Sequence, residues 1–523
     1  MRMASKRLGL VGLLVLANAA GCKMAPSGAA YPMGGSMGYA EVGMAVEAEA
    51  PGAFNTEDYN HIIENDFVAV ADDPRSTFSI DVDTASYANT RRFLTSGSLP
   101  PADAVRIEEL INYFEYDYPT ASNDAPFSVV SEVAACPWNG EHKLVHLGIQ
   151  GETIERDVIP DRNLVFLVDV SGSMGADDKL PLLKHGLMML ADQLRQNDHV
   201  SIVVYAGASG VVLDPTSDKR KIKRALSRLR SGGSTAGAAG LELAYQVAQR
   251  HFVQDGINRV ILASDGDFNV GPSSQGDLLD MIEEKRETGV FLSVLGFGTG
   301  NLNDAMMEQI ADHGNGSYMY IDSEREAQRV LVQQADSMLV AIAKDVKLQV
   351  EFNPAQVEGY RLIGYENRVL AHEDFNDDTK DAGEIGAGHS VTALYEVIPA
   401  GAGELSPSVD ALEYQDEGGL SDASKSDDLM TVKIRYKAPD GDTSEKLSFP
   451  VTDADRSAEG ASDNFRFSAS VAAFGMLLRN STHKGDADWA LVSDLAQNAR
   501  GSDRDGSRAE YMQLVEKAKR LAR

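Results

Sequence analysis

Asp169, Ser171 and Ser173 are spaced two residues apart in the run Asp169-Val170-Ser171-Gly172-Ser173, directly after the apolar stretch 164–168. A buried strand that ends in such a loop sets one carboxylate and two hydroxyls on a single tight turn. Hard oxygen donors clustered in this way suit a small divalent cation. Two more oxygen-bearing residues stand downstream. Thr235 lies in Ser231-Gly232-Gly233-Ser234-Thr235-Ala236-Gly237, where glycines let the backbone bring a hydroxyl inward. Asp265 follows the apolar run 260–263 and opens the turn-forming Asp265-Gly266-Asp267. A Mg²⁺-type ion takes about six oxygens and usually keeps waters or a substrate oxygen among them. These five side chains are the candidate ligands. On a purely structural reading, the serines cap a helix starting near Lys179 and Asp265 stabilises its own turn.

Residues 160–335 have the pattern to position such a site. The apolar runs 164–168, 201–205, 260–263 and 290–295 are short and continuous, as expected of strands buried on both faces. Amphipathic helical stretches separate them, the clearest placing Leu183, Leu187, Leu190 and Leu194 on one face. This alternation predicts a mostly parallel α/β sheet with helices on both sides. Ligands of such sheets bind at the carboxyl ends of strands, where Asp169 and Asp265 both fall. Before it, 103–113 reads as a helix and 127–133 and 144–149 as strands. After it, 346–352, 390–397, 430–436 and 447–451 predict antiparallel strands, and 467–478, 489–499 and 509–521 predict helices. The expected divisions are a targeting segment at 1–21, a flexible tether at 22–54, an N-terminal α+β domain at 55–158, the central domain at 159–335 and a C-terminal β-rich plus helical domain at 336–523. Within the last, 401–428 reads as an acidic mobile loop.

The five candidate ligands, in this order and at these strand ends, resemble the metal-ion-dependent adhesion site of von Willebrand factor type A domains. The wider chain is similar to bacterial lipoproteins that carry such a domain between two flanking domains. Ser79-Ile80-Asp81-Val82-Asp83-Thr84-Ala85-Ser86-Tyr87, Asp265-Gly266-Asp267-Phe268-Asn269-Val270-Gly271 and Tyr360-Arg361-Leu362-Ile363-Gly364-Tyr365-Glu366-Asn367-Arg368 carry that likeness. The resemblance implies a central Rossmann-like domain and a divalent cation, Mg²⁺ with Mn²⁺ or Ca²⁺ as alternatives. It implies that Asp169, Ser171, Ser173, Thr235 and Asp265 hold the ion and that a protein partner supplies an acidic side chain to it. A shell rich in neutral hydroxyls leaves the metal much of its charge, which favours binding an external carboxylate over catalysis.

The first residues carry Arg2, Lys6 and Arg7, then an apolar stretch too short to span as an anchor. Ala19-Ala20-Gly21-Cys22 looks like a lipobox, which implies cleavage before Cys22 and lipid on its thiol. The protein is then expected in the cell envelope, anchored by lipid alone. Lys23, in place of the Asp associated with inner-membrane retention in some bacteria, leans toward the outer membrane. The one other cysteine is Cys136, so a lipidated chain has no intramolecular disulfide. A formal net charge of −31 over 523 residues disfavours nucleic acid as a partner.

Other signals fail on their own chemistry. His142 and His146 have metalloprotease spacing, but Lys143 stands where a Glu is required and the run reads as a strand. The run from Asp265 begins like a calcium loop, yet Val270 and Gly276 stand where Gly and Glu are needed. Gly296-Phe297-Gly298-Thr299-Gly300 lacks the final glycine of a dinucleotide fingerprint and reads as a loop bordering the metal site. Asp81-Val82-Asp83 reads as a strand-end turn, and Cys136 as a packed thiol. Two readings compete with adhesion. One is an envelope scaffold whose metal only fixes loops. The other is a metal-dependent hydrolase, for which Asp267 and Asp304 are the only nearby candidate bases.

Overall fold

The computed structural model describes residues 56–121, 125–155, 158–233, 237–266, 275–405 and 420–523. The targeting segment, Cys22, the tether, Thr235, Asp267 and residues 406–419 lie outside the described residues. The first elements are β1 (Val68–Ala69), β2 (Arg75–Ser79), α1 (Ala85–Ser96), α2 (Ile107–Asn112), β3 (Phe127–Cys136) and β4 (Asn139–Gly151). The helix expected over 103–113 is broken. A 3-10 turn at Ala102–Ala104 is followed by extended Val105 and Arg106 before α2 begins. Ser86 explains the break, because its hydroxyl donates to the Ala104 carbonyl (2.8 Å) and accepts from the Arg106 amide (2.8 Å). A side chain from α1 thus takes up the backbone groups that a continuous helix would have paired.

The central stretch comprises β5 (Arg162–Asp169), α3 (Leu180–Gln193), β6 (His199–Tyr205), β7 (Ser209–Thr216), α4 (Lys219–Arg228), α5 (Gly237–Arg250), β8 (Ile257–Ser264), α6 (Gln275–Arg286), β9 (Val290–Phe297), α7 (Asp304–His313), β10 (Tyr318–Ile321), α8 (Glu324–Gln328) and α9 (Ala335–Leu339). Its six strands run β10-β9-β8-β5-β6-β7, parallel except for the antiparallel edge strand β7. Phe166 in β5 pairs with Ile202 of β6 and Ile261 of β8. Every residue of β5 is buried, because helices cover both faces. Leu164, Phe166 and Val168 face a core shared with Leu183, Leu187 and Leu190 of α3. Val165 and Leu167 face Leu241, Ala244 and Tyr245 of α5. Burying each of the three α3 leucines stabilises the fold by roughly 1.5–3 kcal/mol.

The C-terminal elements are β11 (Ala341–Phe352), β12 (Val357–Ile363), β13 (Gly383–Gly386), β14 (Ser390–Pro399), β15 (Asp428–Lys437), β16 (Glu445–Thr452), α10 (Asp463–Arg479), α11 (Trp489–Asn498) and α12 (Ser507–Leu521). They do not form a domain separate from the N-terminal elements. One sheet runs β1-β12-β14-β4-β3, and in the other β2 pairs with β11 alongside β13, β15 and β16. The expected flanking domains at 55–158 and 336–523 are therefore one structure built from both ends of the chain. The reason lies in pairing. β4 places Val145, Leu147 and Ile149 opposite Tyr395, Ala393 and Val391, so each strand completes the other's buried face. Residues 53–523 belong to one compact unit. The expected 401–428 loop is held at both ends: the Glu358 carboxylate accepts from the amides of Gly403, Glu404 and Leu405, and Asp422–Lys425 forms a 3-10 turn.

Candidate metal site at the ends of two parallel strands

Asp169 ends β5 and Asp265 follows β8, the strand paired directly beside it. Both aspartates have no exposed surface. One Asp169 oxygen accepts from the Ser171 amide (2.8 Å) and the other from the Ser264 hydroxyl (3.1 Å). The Ser171 and Ser173 hydroxyls lie 2.9 Å apart. Neither serine caps α3, so the capping alternative is not what these residues do. Their loop is stitched to the next one: Gly172 donates to the Gly233 carbonyl (3.0 Å) and Gly232 to that of Val170 (2.8 Å). Gly233 has φ +94°, a backbone conformation glycine adopts freely. This pairing fixes the chain two residues before Thr235 against the serine loop.

Asp265 has a partner the sequence did not disclose. The Lys179 ammonium lies 2.9 Å from its Oδ2 and 2.7 Å from Asn301 Oδ1, and Lys179 is itself buried. Lys179 reaches across 86 residues of chain, which no local pattern signals. The loop after β9 closes over this pair. A Cβ on Gly266 would lie 2.4 Å from the Asn303 amide nitrogen, so only glycine lets the two loops approach. Gly298 packs as closely on the Lys179 stem. The glycine run 296–300 thus borders the site, as read from the sequence.

The two carboxylates differ electrostatically. Burial pushes Asp169 up to about 6; bonds from Ser171 and Ser264 pull against it, and nearby Asp265 adds to the rise. Burial alone would raise Asp265 as well. Hydrogen bonds with Asn301, Ser173 and Lys179 outweigh it and hold Asp265 below its ordinary value. Among the described residues no three His, Cys, Asp or Glu side chains form a metal cage. A cation here would rest on hydroxyl oxygens together with Asp169, a donor set that fits a hard, small ion. Asp169, Ser171, Ser173 and Asp265 are brought together.

The remaining sequence signals resolve into structure. His142 and His146 sit on β4 with different partners: Glu396 (2.7 Å) and Glu404 (3.0 Å) for the first, and the Tyr118 hydroxyl (2.9 Å) for the second. Burial pushes His146 down to about 4. Arg368 stands 3.4 Å from Asp81 and 3.6 Å from Asp83, so an arginine faces those carboxylates. Asp304 is held by Arg106 (2.5 Å) and Tyr318 (3.0 Å). Cys136 is a buried thiol whose pKa burial raises.

The model of the von Willebrand factor type A domain matches residues 163–334, that of von Willebrand factor matches 53–146, and that of the YfbK C-terminal region matches 337–521. The chain is 45% identical over 472 residues to uncharacterized protein YfbK of Escherichia coli (strain K12), covering 88% of this chain and 81% of that one. It is 27% identical over 194 residues to uncharacterized protein sll0103 of Synechocystis, 37% of this chain and 45% of that one. A solved structure of von Willebrand factor type A from Catenulispora acidiphila is 15% identical, with a TM-score of 0.40 over 75% of this chain and 91% of that one.

Proposed function

The chain belongs to the family of Escherichia coli YfbK, built round a von Willebrand factor type A domain, and from this premise we propose that it is a lipid-anchored binding protein of the cell envelope. Asp169, Ser171, Ser173, Thr235 and Asp265 would hold a divalent cation, Mg²⁺ in the first instance. The cation would supply a positive charge open to an acidic side chain of a protein partner. The observation that carries this reading is the Ser171–Ser173 hydroxyl pair set between two buried aspartates on neighbouring strands. Lys179 strengthens it. Its ammonium neutralises Asp265, so the site with its cation keeps net positive charge for an incoming carboxylate.

The test uses the purified full chain and Mn²⁺ as a spectroscopic probe, followed by capture from an envelope extract with Mg²⁺ and then with chelator. One high-affinity Mn²⁺, lost in Asp169→Asn and Ser173→Ala, and a partner retained only with metal are the expected results. Binding that survives both substitutions would sink the reading. Anchoring is tested separately: labelled palmitate should enter the wild-type chain and not Cys22→Ser.

One observation favours a scaffold instead. The Lys179–Asp265–Asn301 contact already closes the loops with a cation of the chain's own. A scaffold predicts that chelation lowers the melting temperature while leaving the set of captured proteins unchanged.

A further inference from the structure

A cavity of about 230 Å³ lies beside α2, and Arg106, Glu108, Glu308, Ile62 and Ile63 are among the residues that line it. Glu108 has no exposed surface, and neither of its carboxyl oxygens has a hydrogen-bond partner among the described residues. Arg106 is 5% exposed. Its Nε bonds Glu109 and one terminal nitrogen bonds Asp304, but the other, Nη2, has no hydrogen-bond partner among the described residues. The remaining acids of the cavity wall are engaged: Glu308 by Arg106, Arg368 and Asn367, and Glu366 by Arg479 (2.8 Å). Leaving a buried polar group unpaired costs about 1–3 kcal/mol, more for a charged one. Two such groups of opposite character on one cavity therefore describe the ligand that would satisfy both.

We infer that this cavity binds an α-amino group together with its neighbouring carbonyl, as found in a free amino acid or at a peptide amino terminus. The ammonium would meet Glu108 and the carbonyl or carboxylate oxygen Arg106 Nη2. An apolar side chain would rest on Ile62 and on Ile63, which is 78% exposed at the rim. A metal ion fits less well, since among the described residues the wall offers one uncommitted carboxylate and no cage. A phosphate fits less well still, because acids crowd Arg106. Burial and the nearby Glu366, Asp81 and Glu109 push Glu108 up to about 8. A bound ammonium relieves that crowding, and a neutral ligand does not. The volume accommodates one amino acid or the end of a short peptide.

The experiment is calorimetric titration of the purified full chain with L-leucine and with L-leucyl-L-alanine, set against N-acetyl-L-leucine. The acetyl group removes the ammonium and keeps the side chain and carboxylate. At least one ammonium-bearing probe should bind, at least about tenfold more tightly than the acetylated one. Glu108→Gln should weaken it by a similar factor. So should Ile63→Arg, an exposed rim change that leaves folding alone. Leucine binding without the dipeptide assigns free amino acids; dipeptide binding assigns amino termini. No binding by either probe, or binding unchanged in Glu108→Gln and Ile63→Arg, overturns the inference and leaves water as the content of the cavity.

Discussion

At Asp265 a buried carboxylate already has a buried cation of the chain's own, Lys179, so charge there is balanced before any ligand arrives. Lys179→Ala leaves Asp265 with hydrogen bonds alone. Breaking one side of a buried pair typically costs about 3–5 kcal/mol, and the retained Asn301 and Ser173 bonds place this case near the lower end. Urea unfolding should show that loss, and under the proposed metal reading Mg²⁺ should raise the melting temperature more in the variant than in the wild type. Glu108 makes the opposite case, a carboxyl with no cation paired to it among the described residues. Its folded pKa is raised to about 8 from 4.5, so the folded state holds a proton that the unfolded chain gives up. The associated stability is full below the unfolded value and is lost as pH rises through the folded one. Melting temperature should therefore fall between about pH 5 and pH 9, and fall less steeply in Glu108→Gln. The slope should persist in part, because Glu109 and Glu308, raised to about 8 and about 7, act in the same direction. A slope unchanged by the substitution would mean that Glu108 is ionised in the folded protein.

The loop that carries Asn301 to Lys179 and Asp265 is held by a short strap. Thr56 donates to the Gly300 carbonyl and Asp58 to that of Leu302 (both 2.9 Å), and Asp304 donates back to Asp58 (3.1 Å). Glu57 locks the strap, accepting from the Gly300 amide (2.8 Å) and from two nitrogens of Arg92 (2.9 Å each). Glu57→Ala removes charge-assisted bonds worth roughly 1.5–3 kcal/mol each. Hydrogen exchange should quicken at the amides of 300–304 while β5 and β8 stay protected. Protection of 300–304 that did not change would show the strap to be idle. None of this was legible in the sequence, because the contacts between strap and loop join residues more than 240 apart, and the Glu57–Arg92 pair is itself 35 residues apart. What was legible had a one-dimensional signature. β5, β6, β8 and β9 are continuous apolar runs because helices cover both faces, and the runs placed Asp169 and Asp265 at strand ends. β2 escaped notice since Arg75-Ser76-Thr77-Phe78-Ser79 is mostly polar, and Thr77 and Ser79 are buried by the sheet around them. β7 escaped because an edge strand carrying Pro215 needs no apolar face. Lys179 escaped because a lysine before a helix reads as solvent-facing until the tertiary fold turns it inward.

Across the whole molecule, the ends of the chain meet the central domain through one arginine as well as through shared sheets. Arg91 of α1 contacts Asp322 (2.5 Å) just before α8, Glu326 (2.8 Å) within α8, Glu510 (3.2 Å) of α12 and the Tyr113 hydroxyl (2.8 Å). Its side chain is 6% exposed, so these pairs are little screened by water. Arg91→Met keeps much of the volume and removes the charge. Glu326 retains Arg329, but among the described residues Asp322 keeps only the Ser323 hydroxyl. The expected loss is about 3–5 kcal/mol, mostly from the stranded Asp322 carboxylate. Calorimetry distinguishes two ways in which that loss can show. If β2–β11 and β4–β14 pairing joins both chain ends into one body packed on the central sheet, melting stays a single transition that moves to lower temperature. That is the expected result, because the core under α3 is continuous with the core between the flanking sheets, and Phe166 and Leu187 share it with Phe78, Ile149 and Val350. Two transitions in the variant would mean instead that the ionic knot joins central and flanking parts and that their shared apolar core does not.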